Sequence, residues 1–337
     1  MNASDASGHA FEAAAQQLPD LSIDQLADDL RGLARSYATT PVSESWRGAS
    51  RALKSAQAML DRTQRTRQRT DLYFHAATAS ALMSSAAFDL GSLPTATQLA
   101  RTCALYGQII DHHPSQAYAA GQLAVLAYWD GRPAQAVQHA MAATAYSDVG
   151  DSARLRLAVI AARAHAHLRD ATRVAAHLVT GSLDDPPARA ATDDLHDDVG
   201  GEFDMPTMRA VMSNATTYLL LQDAGRASEA ATRALESGTL SPVQFANAAT
   251  DLARAQLMRG DVDAAAEPAA KALSLEPSLC TAAVTDRLSA LRHDLAQPRI
   301  RNTSQARDLG ERIEYFTATA APAALLGTPP ALETPES

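Results

Sequence analysis

Aromatic residues make up only 5% of this 337-residue chain, and lysine occurs just twice, at Lys54 and Lys271. Set against 74 alanines, the shortage of aromatics disfavours a sheet built on β-branched and aromatic side chains, and predicts helices packed closely through small residues. All-β and Rossmann-like folds are disfavoured with it. The near absence of lysine beside so much alanine also points to GC-rich coding, so composition here reflects the genome as well as the fold. Basic charge is short: 29 Lys and Arg against 38 Asp and Glu leave a net charge of −9, the wrong sign for neutralising phosphates along a duplex. No direct nucleic-acid partner is expected. The two cysteines, Cys103 and Cys280, fall within apolar helical patterns and read as buried free thiols in a reducing compartment. No uncharged apolar run reaches 18 residues, and Met1 to Ala10 has neither a basic nor an apolar leader segment, so a soluble, cytoplasmic protein without membrane contact is expected. Walker loops, GxSxG elbows, HExxH and CxxC are missing too, and no cofactor is expected.

What the chain does have is apolar residues at helical spacing over nearly its whole length. Short punctuation interrupts them: DLGSLP (89–94), DHHPS (111–115), DGRP (130–133), SDVGDS (147–152), DAGR (223–226), SGTLSP (237–242) and RGDVD (259–263). The expected organisation is a flexible N-terminus over 1–20, a helical domain over 21–317 and a disordered, proline-bearing tail over 318–337. One interruption, from Gly181 to Pro206, is too long for a simple turn.

The punctuation carries a period. Gly91, Gly131, Gly225 and Gly260 each close an apolar segment, and each is followed five residues later by Ala96, Ala136, Ala230 or Ala265. Twelve residues after each Gly comes another small side chain, Cys103, Ala143, Ser237 or Ala272, and Pro277 follows in the last copy. A degenerate copy lies around 167–178, with Arg169 where the others have Gly. Glycine tolerates the positive-φ turn between neighbouring helices, and small residues let the second helix approach the first closely. This pattern resembles the tetratricopeptide repeat and predicts an all-α, right-handed helical solenoid of about five helix pairs with flanking helices.

Several stretches carry a narrower resemblance: DLYFHAATASALMSSAAFDLG (71–91), AYWDGRPAQAVQHA (127–140), RLAVIAARAHAHL (156–168), DDLHDDVGGEF (193–203) and RDLGERIEYF (307–316). In order, over roughly residues 45–317, they resemble the C-terminal tetratricopeptide region of Xre-type helix-turn-helix transcriptional regulators from high-GC bacteria. The resemblance implies a regulatory repeat domain that senses a signal or partner. It does not imply operator binding, because LSIDQLADDLRGLARSY (21–37) runs on as one helix without a tight turn and recognition helix.

In such a stack the first helix of each pair lines the concave face, and residues i and i+7 share one side of it. That register selects Tyr118 with Val125 and Tyr128, Arg156 with Arg163 and the nearby His167, Met212 with Leu219, and Asn247 with Arg254. Guanidinium forks suit carboxylates, and a carboxamide can pair with both groups of a peptide backbone. The ligand-binding candidates are therefore Tyr118, Tyr128, Arg156, Arg163, His167, Asn247 and Arg254, gripping a protein or peptide in the groove. The bland alternative is that these arginines are solvated or pair with acids on neighbouring helices. Trp46 and Trp129 read as packing anchors, Trp129 lying near the groove, and Arg62, Arg65, Arg67 and Arg69 as a solvated connector.

The insertion at 184–204 gathers Asp184, Asp185, Asp193, Asp194, His196, Asp197, Asp198, Glu202 and Asp204, and is the one place where an enzyme or metalloprotein reading could begin. The same acids would suit the first turn of a short helix ending at Gly200–Gly201, with Glu202 and Phe203 docking on the next pair. A self-associating scaffold, with a homodimer or the C-terminal tail filling the groove, is the third alternative.

Overall fold

The computed structural model describes residues 18–146, 148–180 and 191–320. Most of the segments expected to be loose at the two ends, and Asp184 and Asp185 of the insertion, lie outside the described residues. Among those described, the secondary structure is entirely helical, with no strand. In chain order the helices are α1 (Asp20–Ser36), α2 (Val42–Leu60), α3 (Thr66–Asp89), α4 (Leu93–Ile109), α5 (His113–Trp129), α6 (Pro133–Ala143) and α7 (Asp151–His167). They continue with α8 (Ala171–Thr180), α9 (Thr207–Leu220), α10 (Ala224–Glu236), α11 (Pro242–Met258), α12 (Val262–Ala272), α13 (Ala282–Leu295) and α14 (Ser304–Thr319). A short 3-10 turn, Tyr37–Thr39, links α1 to α2.

The helices start where side chains can satisfy free N–H groups. Asp223, Asp261, Thr281 and Thr303 cap α10, α12, α13 and α14, and Ser241 forms a reciprocal capping box with Gln244 at the head of α11. Pro94, Pro114, Pro133 and Pro242 occupy first-turn positions of α4, α5, α6 and α11, where the missing N–H costs nothing.

Five pairs are joined by tight turns: α3 to α4, α5 to α6, α7 to α8, α9 to α10, and α11 to α12. Each turn passes through a left-handed residue, at Gly91, Gly131, Arg169, Gln222 and Gly260. The expectation for the fourth pair is therefore corrected. Gly225 lies inside α10, and the left-handed residue is Gln222, whose long side chain hid it from a search keyed on glycine. The register of the following helix moves with it. Five, nine and twelve residues beyond the turn, α4 buries Ala96, Ala100 and Cys103, α6 buries Ala136, Ala140 and Ala143, α10 buries Ala227, Ala231 and Ala234, and α12 buries Ala265, Ala269 and Ala272. These small residues form one stripe per helix and let it lie close against its partner. Ala230 and Ser237, the residues expected there in the fourth copy, are only partly buried.

The first helices of the pairs contact one another in order, α3 to α5 to α7 to α9 to α11, and α13 follows α11. Helix α13 also touches α3, and the Tyr37–Thr39 turn touches α11. The inner face is thus a ring of six helices closed on itself, rather than the open groove expected from the sequence. Helices α1 and α2 flank the ring at one end and α14 at the other.

Candidate functional site

A cavity of about 210 Å³ lies inside the ring, and a second of about 250 Å³ shares Tyr128, Trp129, Arg163 and Arg287 with it. Six of the seven residues selected from the sequence line these spaces. Tyr128 and Arg163 face both, Arg156 and Asn247 the first, His167 and Arg254 the second. Tyr118 is corrected: it lines neither cavity. It is 2% exposed and sits behind the wall, where its hydroxyl lies 2.9 Å from Ser85 Oγ and its ring lies 4.7 Å under the Arg156 guanidinium. Its position supports Arg156 through cation–π attraction.

The wall is rich in guanidinium. Arg156 Nη1 donates to the Glu202 carbonyl at 3.1 Å, and Arg209 Nη2 donates to Glu202 Oε2 at 2.9 Å. Glu202 thereby serves two arginines at once, with Arg156 Nη2 at 3.8 Å from its other oxygen. Across the lumen, Arg287 donates to the Ala283 carbonyl at 3.2 Å, while its Nε stands 3.7 Å from Asp251 Oδ1 without a hydrogen bond. Burial, together with the Arg163 and Arg254 charges, lowers the Arg287 pKa against the pull of Asp251. Arg254 is held by Asp294 at 2.7 Å.

Arg163 differs from the others. Its Nη2 donates to the Ser213 carbonyl at 2.8 Å and to Ser213 Oγ at 2.6 Å, its Nε has no partner, and among the described residues it forms no ion pair with a carboxylate. It is only 9% exposed. A buried cation without a counter-ion is costly. Beside it, His167 is stacked on Tyr128 with centroids 5.0 Å apart, and burial plus the Arg163 charge push its pKa down to about 4. The imidazole is neutral at physiological pH, so it adds a flat polar surface and no charge.

Asp89 completes the inner wall. Its carboxylate accepts from the Tyr37 hydroxyl at 2.7 Å, and burial raises its pKa to about 7 despite that hydrogen bond, with the Glu202 charge adding to the rise.

Three of the described acids of the insertion, Asp193, Asp194 and Asp204, make contacts that fasten it to the neighbouring helices. Asp193 accepts from Gly150 N at 2.8 Å and from His196 N at 2.7 Å, capping the helical turn Asp194–Val199. Burial works against its ionisation, but the bonds from His196 and Gly150 outweigh it and hold its pKa down to about 2. Asp194 meets His112 at 2.7 Å, and Asp204 accepts from Ser152 at 2.8 Å. Gly200 and Gly201 then turn the chain at φ 65° and 63°, with Gly201 so close to α1 that a Cβ would stand 2.2 Å from the Ala34 oxygen. This delivers Glu202 to the arginines and buries Phe203 completely against Tyr118. Among the described residues, no group of three or more His, Cys, Asp or Glu is placed to hold a metal ion. No described helix is long and apolar enough to cross a membrane.

Sequence reasoning missed Arg209, Arg287 and the lumenal role of Glu202. Arg287 was findable: it and Asp294 stand forty residues beyond Asn247 and Arg254, so the same seven-residue register applied to α13 selects it. Arg209 lies in the first turn of α9, one turn before Met212 and on the same face, whereas Glu202 had no such signal, because the long connection between α8 and α9 sets its position. The sequence matches no protein-family model and no curated protein.

Proposed function

We propose that this chain is a tetratricopeptide-like helical-repeat binding module, a regulatory sensor or adaptor without chemistry of its own, that holds an anionic ligand on the inner faces of its first helices. Five turn-linked pairs, with a small-residue stripe on four of the five second helices, α4, α6, α10 and α12, support the repeat reading. The regulatory role rests on the resemblance to the repeat region of Xre-type regulators. The observation that carries the binding role is Arg163: a buried guanidinium, shared by two cavities and unmatched by a carboxylate. The lumen has room for a small ligand or for the anionic end or side chain of a peptide or protein partner. The test is affinity capture from a lysate of the cells that make the protein, with Arg163→Gln run in parallel and both proteins and small molecules read by mass spectrometry. A ligand retained by the native chain and lost by the variant supports the reading. Identical retention by both contradicts it.

A further inference from the structure

Three guanidinium nitrogens around the first cavity are buried and make no hydrogen bond: Nε of Arg156, Arg163 and Arg287. Their residues are 6%, 9% and 8% exposed. They come from two separate helices of the wall, α7 and α13, with the Asn247 carboxamide of α11 beside them. A carboxylate presents two oxygens in one plane and is met well by a single guanidinium fork. A phosphate monoester presents three strong acceptor oxygens around a tetrahedral centre and carries about −1.5 to −2 charge at pH 7, which suits donors converging from several directions. Arg156, Arg163, Arg209 and Arg287 are gathered here against the carboxyl groups of Glu202 and Asp251, with Asp89 in the wall of the first cavity and Asp286 in that of the second, and Arg163 has no carboxylate of its own among the described residues. Next to these arginines, the second cavity offers Trp129 and the stacked pair Tyr128–His167 as flat ring surfaces.

Building on the anion-binding reading above, we infer that the lumen is a site for a phosphate monoester carried on a planar ring, with the phosphoryl oxygens at Arg156, Arg163 and Arg287 and the ring against Trp129 and Tyr128. Either a free aryl-type phosphate or a phosphorylated aromatic side chain presents this chemistry.

The test uses the full chain carrying Trp46→Phe, which leaves Trp129 as the sole tryptophan, and follows thermal midpoint and Trp129 fluorescence with phenyl phosphate, inorganic phosphate, benzoate and phenol. Phenyl phosphate should raise the midpoint and change the emission saturably, inorganic phosphate should do so more weakly, and benzoate and phenol should be at least roughly tenfold weaker than phenyl phosphate. Arg163→Gln should weaken phenyl phosphate binding roughly ten- to hundredfold, and Arg163→Lys, which keeps the charge and fills the same space without the fork, should restore only part of it. A phosphotyrosine-centred peptide run alongside distinguishes the sources, since it binds only if the phosphate arrives on a polypeptide. Equal binding of benzoate and phenyl phosphate, or no response to phenyl phosphate from a folded native chain, overturns the inference. If lysate capture still depends on Arg163 in that case, the anion-binding reading survives and the phosphate assignment alone falls.

Discussion

Replacing Asp89 by asparagine isolates a carboxyl that the fold holds protonated near neutrality. In the unfolded chain its pKa returns to about 3.8, whereas burial in the lumen wall raises it to about 7. Between those values the native state binds a proton that the unfolded state has released, so this group lowers stability as pH rises, by about 1.4 kcal/mol per unit. From pH 5 to pH 8 the loss reaches about 2–3 kcal/mol as an upper bound, because Asp89 keeps part of its surface open to the lumen. The wild type alone does not reveal it. His75 and His167, both pushed down to about 4 chiefly by burial, act in the opposite sense, since the unfolded chain takes up their protons below about pH 6.5. Asparagine keeps an oxygen that can accept from the Tyr37 hydroxyl and removes the titration. The assay is urea unfolding of both proteins at pH 5, 6, 7 and 8, followed by helical circular dichroism. The stability of Asp89→Asn relative to wild type should climb from pH 5 to pH 8 by about 2–3 kcal/mol. A difference that stays flat across the range would refute the placement of Asp89 as an enclosed, proton-holding group.

Other perturbations separate the parts of the account. Gly201→Ala forces a Cβ onto the Ala34 carbonyl at a positive φ, and should cost about 3 kcal/mol or more in the same unfolding assay. Asp193→Ala removes the acceptor shared by Gly150 and His196 and should cost about 2–4 kcal/mol at pH 7. Because the native pKa of Asp193 is held down to about 2, that stabilisation is present above about pH 4, and the gap between variant and wild type should narrow as acid unfolding proceeds towards pH 2. Ala269→Leu overfills the contact between α12 and α11 and should lower stability by about 1–3 kcal/mol, measured by thermal unfolding. Burial pushes the Cys103 thiol up to about 12, so this residue should resist a thiol-specific reagent in the native state and react after denaturation.

The small-residue stripes explain how much of this was legible in the sequence. A left-handed turn and a helix that must lie close to its neighbour both restrict side-chain size locally, and local restrictions leave a periodic trace; Gly91, Gly131 and Gly260 with their alanines were readable for that reason. Gln222 adopts the same turn without the glycine signature, so the fourth copy was read three residues out of register. Arg156, Arg163 and Arg254 were legible because two turns of a helix bring residues seven apart to one side. Closure of the ring was not, because the contact of α13 with α3 depends on small rotations accumulated over five pairs and leaves no mark at any single position. Glu202 belongs to the same class. Its place between Arg156 and Arg209 depends on Gly200 and Gly201 turning the chain against α1, a contact between residues more than 160 positions apart.

The most direct test of an arginine-lined, anion-seeking lumen needs no knowledge of the ligand. With Trp129 as the sole tryptophan in a Trp46→Phe background, collisional quenching is measured at low ionic strength with iodide, an anion, and with caesium, a cation. The account predicts strong quenching by iodide that saturates, falls with added salt and is largely lost in Arg163→Gln, with little quenching by caesium. Equal quenching by the two ions, or iodide quenching unchanged in Arg163→Gln, would contradict it.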